Sequence, residues 1–303
     1  MKILVLFTGG TIGSSVSENY IAPDQNAKYK LIKFYQEKFG KKVEFVCREP
    51  YTILSENLDG EYISKLIRSV KEGLLDDEFG GIIVTHGTDT LQYSAAALSI
   101  ALGKTGIPII LVSANYPLED ERSNGFNNFI GAVQYIERVK KGGVYVSYQN
   151  GGGFANIFDG ATLLKYDIYS DEIRPLGNRG KNSDCGLTQR KDNEIVTLDR
   201  EVKLKKYSPV KMIVTYPGIT FDIPEMEIEK ILFVPYHSGT LPTDNENLKN
   251  FCIKMQNRGV KMYICGVPEG PQYETTKLYD ELGIEVLGSG TDIYWYMKLW
   301  MEE

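Results

Sequence analysis

Two glycine-punctuated turns carry hydroxyl side chains that could take part in cleaving an amide. The first is Thr8-Gly9-Gly10-Thr11-Ile12-Gly13, and the second is Thr85-His86-Gly87-Thr88-Asp89-Thr90. Each follows a short apolar run typical of a buried strand, and doubly wound sheets bind their ligands beyond the carboxyl ends of such strands. Taken together, the turns supply a hydroxyl nucleophile, a proton relay and backbone donors for an oxyanion. The pair therefore favours amide hydrolysis.

Taken singly, each turn has a plainer interpretation. Gly10 and Gly13 partly match the Gly-x-Gly-x-x-Gly nucleotide-binding pattern, but Thr8 stands where the first glycine belongs. No helix pattern follows, and residues 13–19 are expected to form a mobile polar loop. Asp89 could merely cap the helix that the second turn opens, although the same helix start would also attract an anionic group. His86 precedes a glycine and is interpreted as structural.

Composition and charge narrow the class of protein. A chain of 303 residues can form two compact domains. Its net charge of −6, with both signs interspersed, argues against nucleic-acid binding. No apolar window approaches the roughly 18 residues of a membrane span. With only two histidines, His86 and His237, and no His-Glu-x-x-His, we expect neither a metal nor another cofactor.

The start of the chain and its cysteines indicate a cytoplasmic protein. The first apolar run is too short for the core of a signal peptide and is interpreted as a buried strand. The four cysteines are scattered without Cys-x-x-Cys spacing, which fits a reducing compartment.

Short apolar runs alternate with helical patterns along the chain. The helical patterns include Tyr62 to Val70, Thr90 to Leu102 and a segment near Asn245 to Gln256. The predicted strands are Ile3 to Phe7, Ile82 to Val84, Ile107 to Val112, Val144 to Ser147, Met212 to Tyr216, Ile231 to Val234 and Met262 to Cys265.

This alternation predicts an α/β fold, with a doubly wound, mostly parallel sheet in an N-terminal domain and a smaller α/β C-terminal domain. We place the N-terminal catalytic domain at 1–185, a linker at 186–208 and the C-terminal domain at 209–303. The polar stretch from about residue 177 to 208 is interpreted as a surface hairpin leading into that linker.

The two turns, in this order and after these strands, resemble the bacterial-type L-asparaginase family, including its cytoplasmic type I enzymes. The similarity continues through Pro108 to Val112, Asn124-Gly125 and Tyr216-Pro217-Gly218. It implies hydrolysis of L-asparagine to L-aspartate and ammonia through a threonine-linked acyl-enzyme, without a cofactor. It also implies a homodimer or homotetramer.

The resemblance assigns the catalytic roles. Thr11 would be the nucleophile, and Tyr20, in the segment after it, would orient or activate the hydroxyl. Thr88, Asp89 and Lys165 would form the second half of the machinery. Lys165 could act as a base only if burial and nearby charge kept part of its amine neutral.

The substrate-binding residues follow from the same resemblance and from the charges of a free amino acid. Ser55 and the N–H groups around Gly87 and Thr88 can hold the α-carboxylate. Asp89 and Glu56 can hold the α-ammonium. Holding the substrate at this end places its side-chain amide near the nucleophile.

Some features depart from the family pattern. Gly13 stands where alanine is frequent, and Asn124-Gly125 stands where Asp-Gly is frequent. The family completes its sites with a neighbouring subunit, for which Glu269 and Glu274 are candidate acids. Two other functions stay open: an amidotransferase subunit, expected to carry an extra N-terminal domain and a basic tRNA surface, and a non-enzymatic amino-acid sensor.

Overall fold

The computed structural model describes residues 1–17, 20–23, 27–167, 169–177, 201–222 and 227–302, with the side chains of residues 15–28 outside the description. Two compact units divide the chain, Met1–Leu204 and Lys205–Glu303. Most of the predicted linker and the polar hairpin before it lie outside the described residues, so the predicted boundaries at 185 and 208 stay predictions. Within the described part of the chain, no helix is long and apolar enough to cross a membrane.

The first unit is built around a six-stranded sheet in the order β4-β1-β5-β6-β7-β8. Its strands pair in parallel except for β8, which runs antiparallel to β7. The strands of the unit are β1 (Lys2–Phe7), β2 (Ser14–Ser17), β3 (Tyr20–Pro23), β4 (Glu44–Arg48), β5 (Phe79–Thr85), β6 (Pro108–Val112), β7 (Gly143–Tyr148) and β8 (Asn156–Asp159). Its helices are α1 (Ala27–Phe39), α2 (Gly60–Leu74), α3 (Leu91–Leu102) and α4 (Gly125–Arg138). The predicted doubly wound, mostly parallel sheet is confirmed.

The central strands are continuously apolar because helices cover both of their faces. Ile3, Val5 and Phe7 belong to one buried cluster with side chains of α1 and α4. On the opposite face α2 lies so close to the sheet that a Cβ added at Gly73 would be 2.5 Å from the Leu4 Cδ2 atom. The apolar runs therefore identified β1, β5, β6 and β7 correctly.

The sheet reverses its direction of growth between β1 and β5. The chain leaves β1, pairs β4 on one side of it, and then returns to pair β5 on the other side. In such sheets the crevice at the reversal is where ligands bind. The two hydroxyl-bearing turns follow β1 and β5, so both lie at this point.

The segment after the first turn differs from the expected mobile loop. Ser14–Ser17 forms β2, which pairs antiparallel with β3 from Ser14 opposite Pro23 to Ser17 opposite Tyr20. The Ser14 hydroxyl donates to the Gly10 carbonyl at 2.8 Å and ties the hairpin to the turn. The expectation of a loop was wrong for these residues. Their two short strands pair only with each other, so they need no apolar pattern of the kind that identifies the strands of the main sheet.

The second unit is a smaller sheet in the order β12-β11-β10-β9, with all of its pairs parallel. Its elements are β9 (Val210–Val214), β10 (Lys230–Val234), α5 (Glu246–Asn257), β11 (Lys261–Ile264), α6 (Leu278–Glu281), β12 (Ile284–Val286) and α7 (Asp292–Met301). Side chains of α5 and the central strands form its buried core. The predicted smaller α/β unit is confirmed.

Candidate active site

Three segments meet at the reversal of the sheet: the first turn, the second turn and the residues around Ser55. The stretch before Ser55 runs beside the first turn as a short parallel bridge between Gly9 and Ile53. The Ile53 N–H donates to the Thr8 carbonyl, and the Gly10 N–H donates to the Ile53 carbonyl, each at 3.2 Å. Backbone hydrogen bonds therefore hold Ser55 next to the first turn.

Glycines allow the backbones of the three segments to touch. Gly10 has a φ of +79°, and a Cβ there would be 2.3 Å from the Gly87 nitrogen. Gly87 has no such backbone requirement, but a Cβ there would be 2.3 Å from the Ser55 hydroxyl oxygen. These distances are far below van der Waals contact. The contact places Thr11 and Thr88, one residue beyond each glycine, on adjoining turns.

Asp89 does not cap the helix that follows it. The N-cap of α3 is Thr90, and no side chain makes a capping hydrogen bond there. Asp89 is exposed, and its Oδ2 accepts a hydrogen bond from the buried Ser55 hydroxyl at 3.3 Å. The Thr90 hydroxyl in turn donates to the Ser55 carbonyl at 2.9 Å. The interpretation of Asp89 as a helix cap is therefore wrong, and its carboxylate is hydrogen-bonded to Ser55 instead.

The hydroxyls of Thr11 and Thr88, the proposed reacting groups, are partly exposed and available to a substrate. Thr11 and Thr88 are both half-buried, and neither hydroxyl makes a hydrogen bond to another described residue. Glu56 is exposed in the short 3-10 turn Ser55–Asn57, directly after Ser55. Tyr20 is the first residue of β3, but its side chain lies outside the description. Its catalytic role stays a prediction.

Lys165 is exposed, so the burial that base catalysis would require is not met in the isolated chain. Its neighbour Tyr166 has a buried hydroxyl without a hydrogen bond to a described residue. The pKa of Tyr166 is raised by burial, then by the Tyr148 hydroxyl, and further by the carboxylates of Asp171 and Asp89. The segment that carries Lys165 therefore lies within electrostatic reach of Asp89. The sequence pattern had not singled out Tyr166 or Tyr148.

His86 is a structural residue, as interpreted from the sequence. Its Nδ1 lies 2.8 Å from the Gly87 carbonyl oxygen and its Nε2 lies 2.8 Å from the Ser94 hydroxyl. Burial is the main cause of its lowered pKa, which keeps the ring neutral. Both ring nitrogens are occupied, so His86 holds the second turn and is not available as a base.

The two departures from the family pattern have separate explanations. Open space surrounds Gly13, so an alanine would fit there equally well. Asn124 uses both ends of its amide, because Oδ1 accepts from the Asn115 N–H at 3.0 Å and Nδ2 donates to the Gln149 carbonyl at 3.1 Å. An aspartate could not make the second bond. Neither position touches the proposed chemistry.

The described acidic side chains outside the three segments make contacts of their own. Within the described ranges, no group of three His, Cys, Asp or Glu side chains could hold a metal ion. Glu269 accepts a hydrogen bond from Ser289 at 3.1 Å, and Glu274 lies 3.5 Å from Lys277. Both belong to the second unit, and their role at a neighbouring subunit's site stays a prediction.

The fold and the candidate site define an α/β protein whose two hydroxyl-bearing turns meet at the reversal of a mostly parallel sheet. Residues 2–170 match the family model described as "Asparaginase, N-terminal". That range covers more than half of the chain, and the chain belongs to the asparaginase family.

Curated relatives agree with this family. The chain is 33% identical over 153 residues to an L-asparaginase of Thermococcus kodakarensis, covering 50% of this chain and 44% of the relative. It is 32% identical over 183 residues to a glutamyl-tRNA(Gln) amidotransferase subunit of Methanosarcina barkeri, covering 59% and 42%. The chain thus spans less than half the length of these two relatives. L-asparaginase 1 of Escherichia coli K12 is 26% identical over 260 residues, covering 82% and 74%.

Solved structures share the fold. The thermostable L-asparaginase from Thermococcus kodakarensis superposes with a TM-score of 0.77 at 23% identity, covering 99% of this chain and 92% of that one. L-asparaginase I from Vibrio cholerae gives a TM-score of 0.77 at 20% identity, with the same coverage.

Proposed function

We propose that this chain is an L-asparaginase that hydrolyses L-asparagine to L-aspartate and ammonia through an ester on Thr11. The observation that carries the proposal is the meeting of Gly10, Gly87 and Ser55, which joins the two hydroxyl-bearing turns to a binding serine. Family membership and the relatives named L-asparaginase support it.

The charges around Ser55 fit a free amino acid. Asp89 and Glu56 are both exposed carboxylates that can take the α-ammonium. The Ser55 hydroxyl and the N–H groups at the start of α3 can take the α-carboxylate. An asparagine held in this way at its backbone end presents its side-chain amide to Thr11, which makes attack effectively intramolecular.

The reaction would run in two halves. The Thr11 hydroxyl oxygen bonds to the amide carbon, the carbon–nitrogen bond breaks, and ammonia leaves with the hydroxyl proton. Water then adds to the ester and releases aspartate with Thr11 restored. Because Thr11 is β-branched, its hydroxyl has few rotamers to search. Backbone N–H groups of the glycine turns would stabilise the oxyanion in both halves.

Thr88, Asp89 and Lys165 would move the protons, with Tyr20 orienting the Thr11 hydroxyl. Since Lys165 is exposed in the isolated chain, its action as a base requires the bound substrate or a neighbouring subunit to exclude water from its amine.

Ammonia release from asparagine tests the assignment. We expect Thr11→Ala and Thr88→Val each to lower kcat by at least about a hundredfold, because each removes a group that acts on the reacting amide. Thr105→Val is a matched control, since Thr105 precedes β6 and so lies at the amino ends of the strands, whereas the site lies beyond their carboxyl ends. Near-normal turnover in either site variant, with folding confirmed, would refute the assignment.

An amidotransferase subunit is the second candidate, favoured by the similarity to the glutamyl-tRNA(Gln) amidotransferase of Methanosarcina barkeri. Such a protein would release ammonia from glutamine in a reaction coupled to charged tRNA. Incubation of the purified chain with asparagine or glutamine, with and without glutamyl-tRNA, separates the two functions. Turnover of asparagine without RNA supports the asparaginase. Binding of asparagine without any turnover would indicate a sensor.

We further propose a cytoplasmic homodimer or homotetramer. Among the described residues, the buried Cys252 and Cys265 are free, in keeping with a reducing compartment. Size-exclusion chromatography with light scattering measures the oligomeric state, and a monomer would contradict the proposal.

A further inference from the structure

A buried hydroxyl links the two turns directly. Thr8 directly follows β1, is 3% exposed, and donates from Oγ1 to the Thr85 carbonyl at 2.6 Å. Thr85 is the last residue of β5 and is 1% exposed. The bond therefore joins the base of the first turn to the base of the second.

The Thr8–Thr85 hydrogen bond lies where it can fix the positions of both hydroxyl-bearing turns. Thr11 and Thr88 each follow three residues after the linked threonines, and the Gly10–Gly87 contact lies between. Glycine backbones are intrinsically free, so two glycines before Thr11 would leave the nucleophile poorly placed without a restraint. The Thr8–Thr85 bond and the glycine contact together restrain both turns.

We propose that Thr8 is a positioning residue that sets the spacing between the Thr11 turn and the Thr88 turn. This inference rests on the proposed asparaginase function. The Thr8 side chain need not touch the substrate, and its effect is carried through the backbone of the two turns. A displacement of the nucleophile by about 1 Å can lower a rate by two orders of magnitude.

Removal of the hydroxyl at constant shape tests Thr8. We expect Thr8→Val to lower kcat about tenfold or more, with KM changed less than about threefold, because chemistry is affected and binding is not. Thr8→Ser retains the donor and should recover most of the rate. Thr105→Val is the matched control. At the amino ends of the strands, away from the site, Thr105 donates to the Ile107 carbonyl at 2.7 Å and accepts from the Gly143 N–H at 2.7 Å. It should lower stability without lowering kcat.

A loss of kcat in Thr105→Val equal to that in Thr8→Val, or no recovery in Thr8→Ser, would overturn the role of Thr8.

Hydrogen exchange separates this inference from the proposed function. In Thr8→Val, amides in residues 9–13 and 86–90 should exchange faster together, whether or not the wild type hydrolyses asparagine. Faster exchange in only one of the two turns, or in neither, would overturn the link. Absence of ammonia release from the wild type would refute the proposed function and leave the exchange result to decide the spacing.

Discussion

Gly87→Ala is the sharpest test of the way the site is assembled. The φ of Gly87 is one that any residue can adopt, so the substitution changes only the space that the residue fills. The new Cβ would be 2.3 Å from the Ser55 hydroxyl oxygen and 2.5 Å from the Ser55 Cβ. The hydroxyl can rotate away, but the Ser55 Cβ can move only with its backbone. That backbone is held by the Thr90 hydroxyl at 2.9 Å.

The expected cost is therefore near the upper end of overpacking, about 3 kcal/mol. For a unit of this size, about 2–4 °C of melting temperature corresponds to each kcal/mol, so thermal unfolding followed by circular dichroism should shift down by about 6–12 °C. Ser55→Gly in the same chain removes the obstructing Cβ. The double variant should recover about 1–2 kcal/mol relative to the sum of the single changes.

Gly13→Ala is the matched control. It lies in the adjoining turn, has no atom within 4 Å of an added Cβ, and has no positive φ. It should leave the melting temperature unchanged or raise it slightly, because alanine reduces the entropy of the unfolded chain. The reasoning fails if Gly87→Ala and Gly13→Ala have the same melting temperature, or if adding Ser55→Gly to Gly87→Ala restores no stability.

Three further predictions concern recognition, pH and the hairpin. Glu56→Ala should reduce kcat/KM for asparagine by about 2 kcal/mol but barely affect succinamic acid, which lacks the α-ammonium; equal losses would leave Asp89 as the sole ammonium partner. Because the pKa of His86 is lowered in the folded chain, the unfolded chain, with the ordinary value of 6.5, binds a proton more readily. The free energy of unfolding measured in urea should therefore fall below about pH 6.5, by up to about 1.4 kcal/mol per pH unit. His86→Gln should lose this slope, and an unchanged slope would contradict the structural role of His86. If residues 13–19 close over substrate and carry Tyr20 into place, bound aspartate should slow proteolysis there, and identical rates would argue against a lid.

The local pattern of the sequence was sufficient for the sheet and for the chemical types at the site. The runs at Ile82 to Val84 and Ile107 to Val112 are continuously apolar because strands covered on both faces bury few polar side chains, and that preference is visible within a few positions. The glycine-hydroxyl turns are equally local. They identified Thr11, Thr88 and Asp89 as candidates before any contact was known.

Contacts between distant segments could not be read in the same way. The hydrogen bond from Ser55 to Asp89, the link from Thr8 to Thr85 and the exposure of Lys165 depend on which parts of the chain the sheet brings together. A polar residue looks the same in sequence whether it caps a helix, as Asp89 could have done, or accepts a hydrogen bond from another segment. Close approach of Gly10 to Gly87 likewise leaves no periodic signal, because it requires only two missing side chains. Sequence periodicity therefore determined the layers and the candidate residues, whereas packing at the reversal of the sheet decided which of them meet.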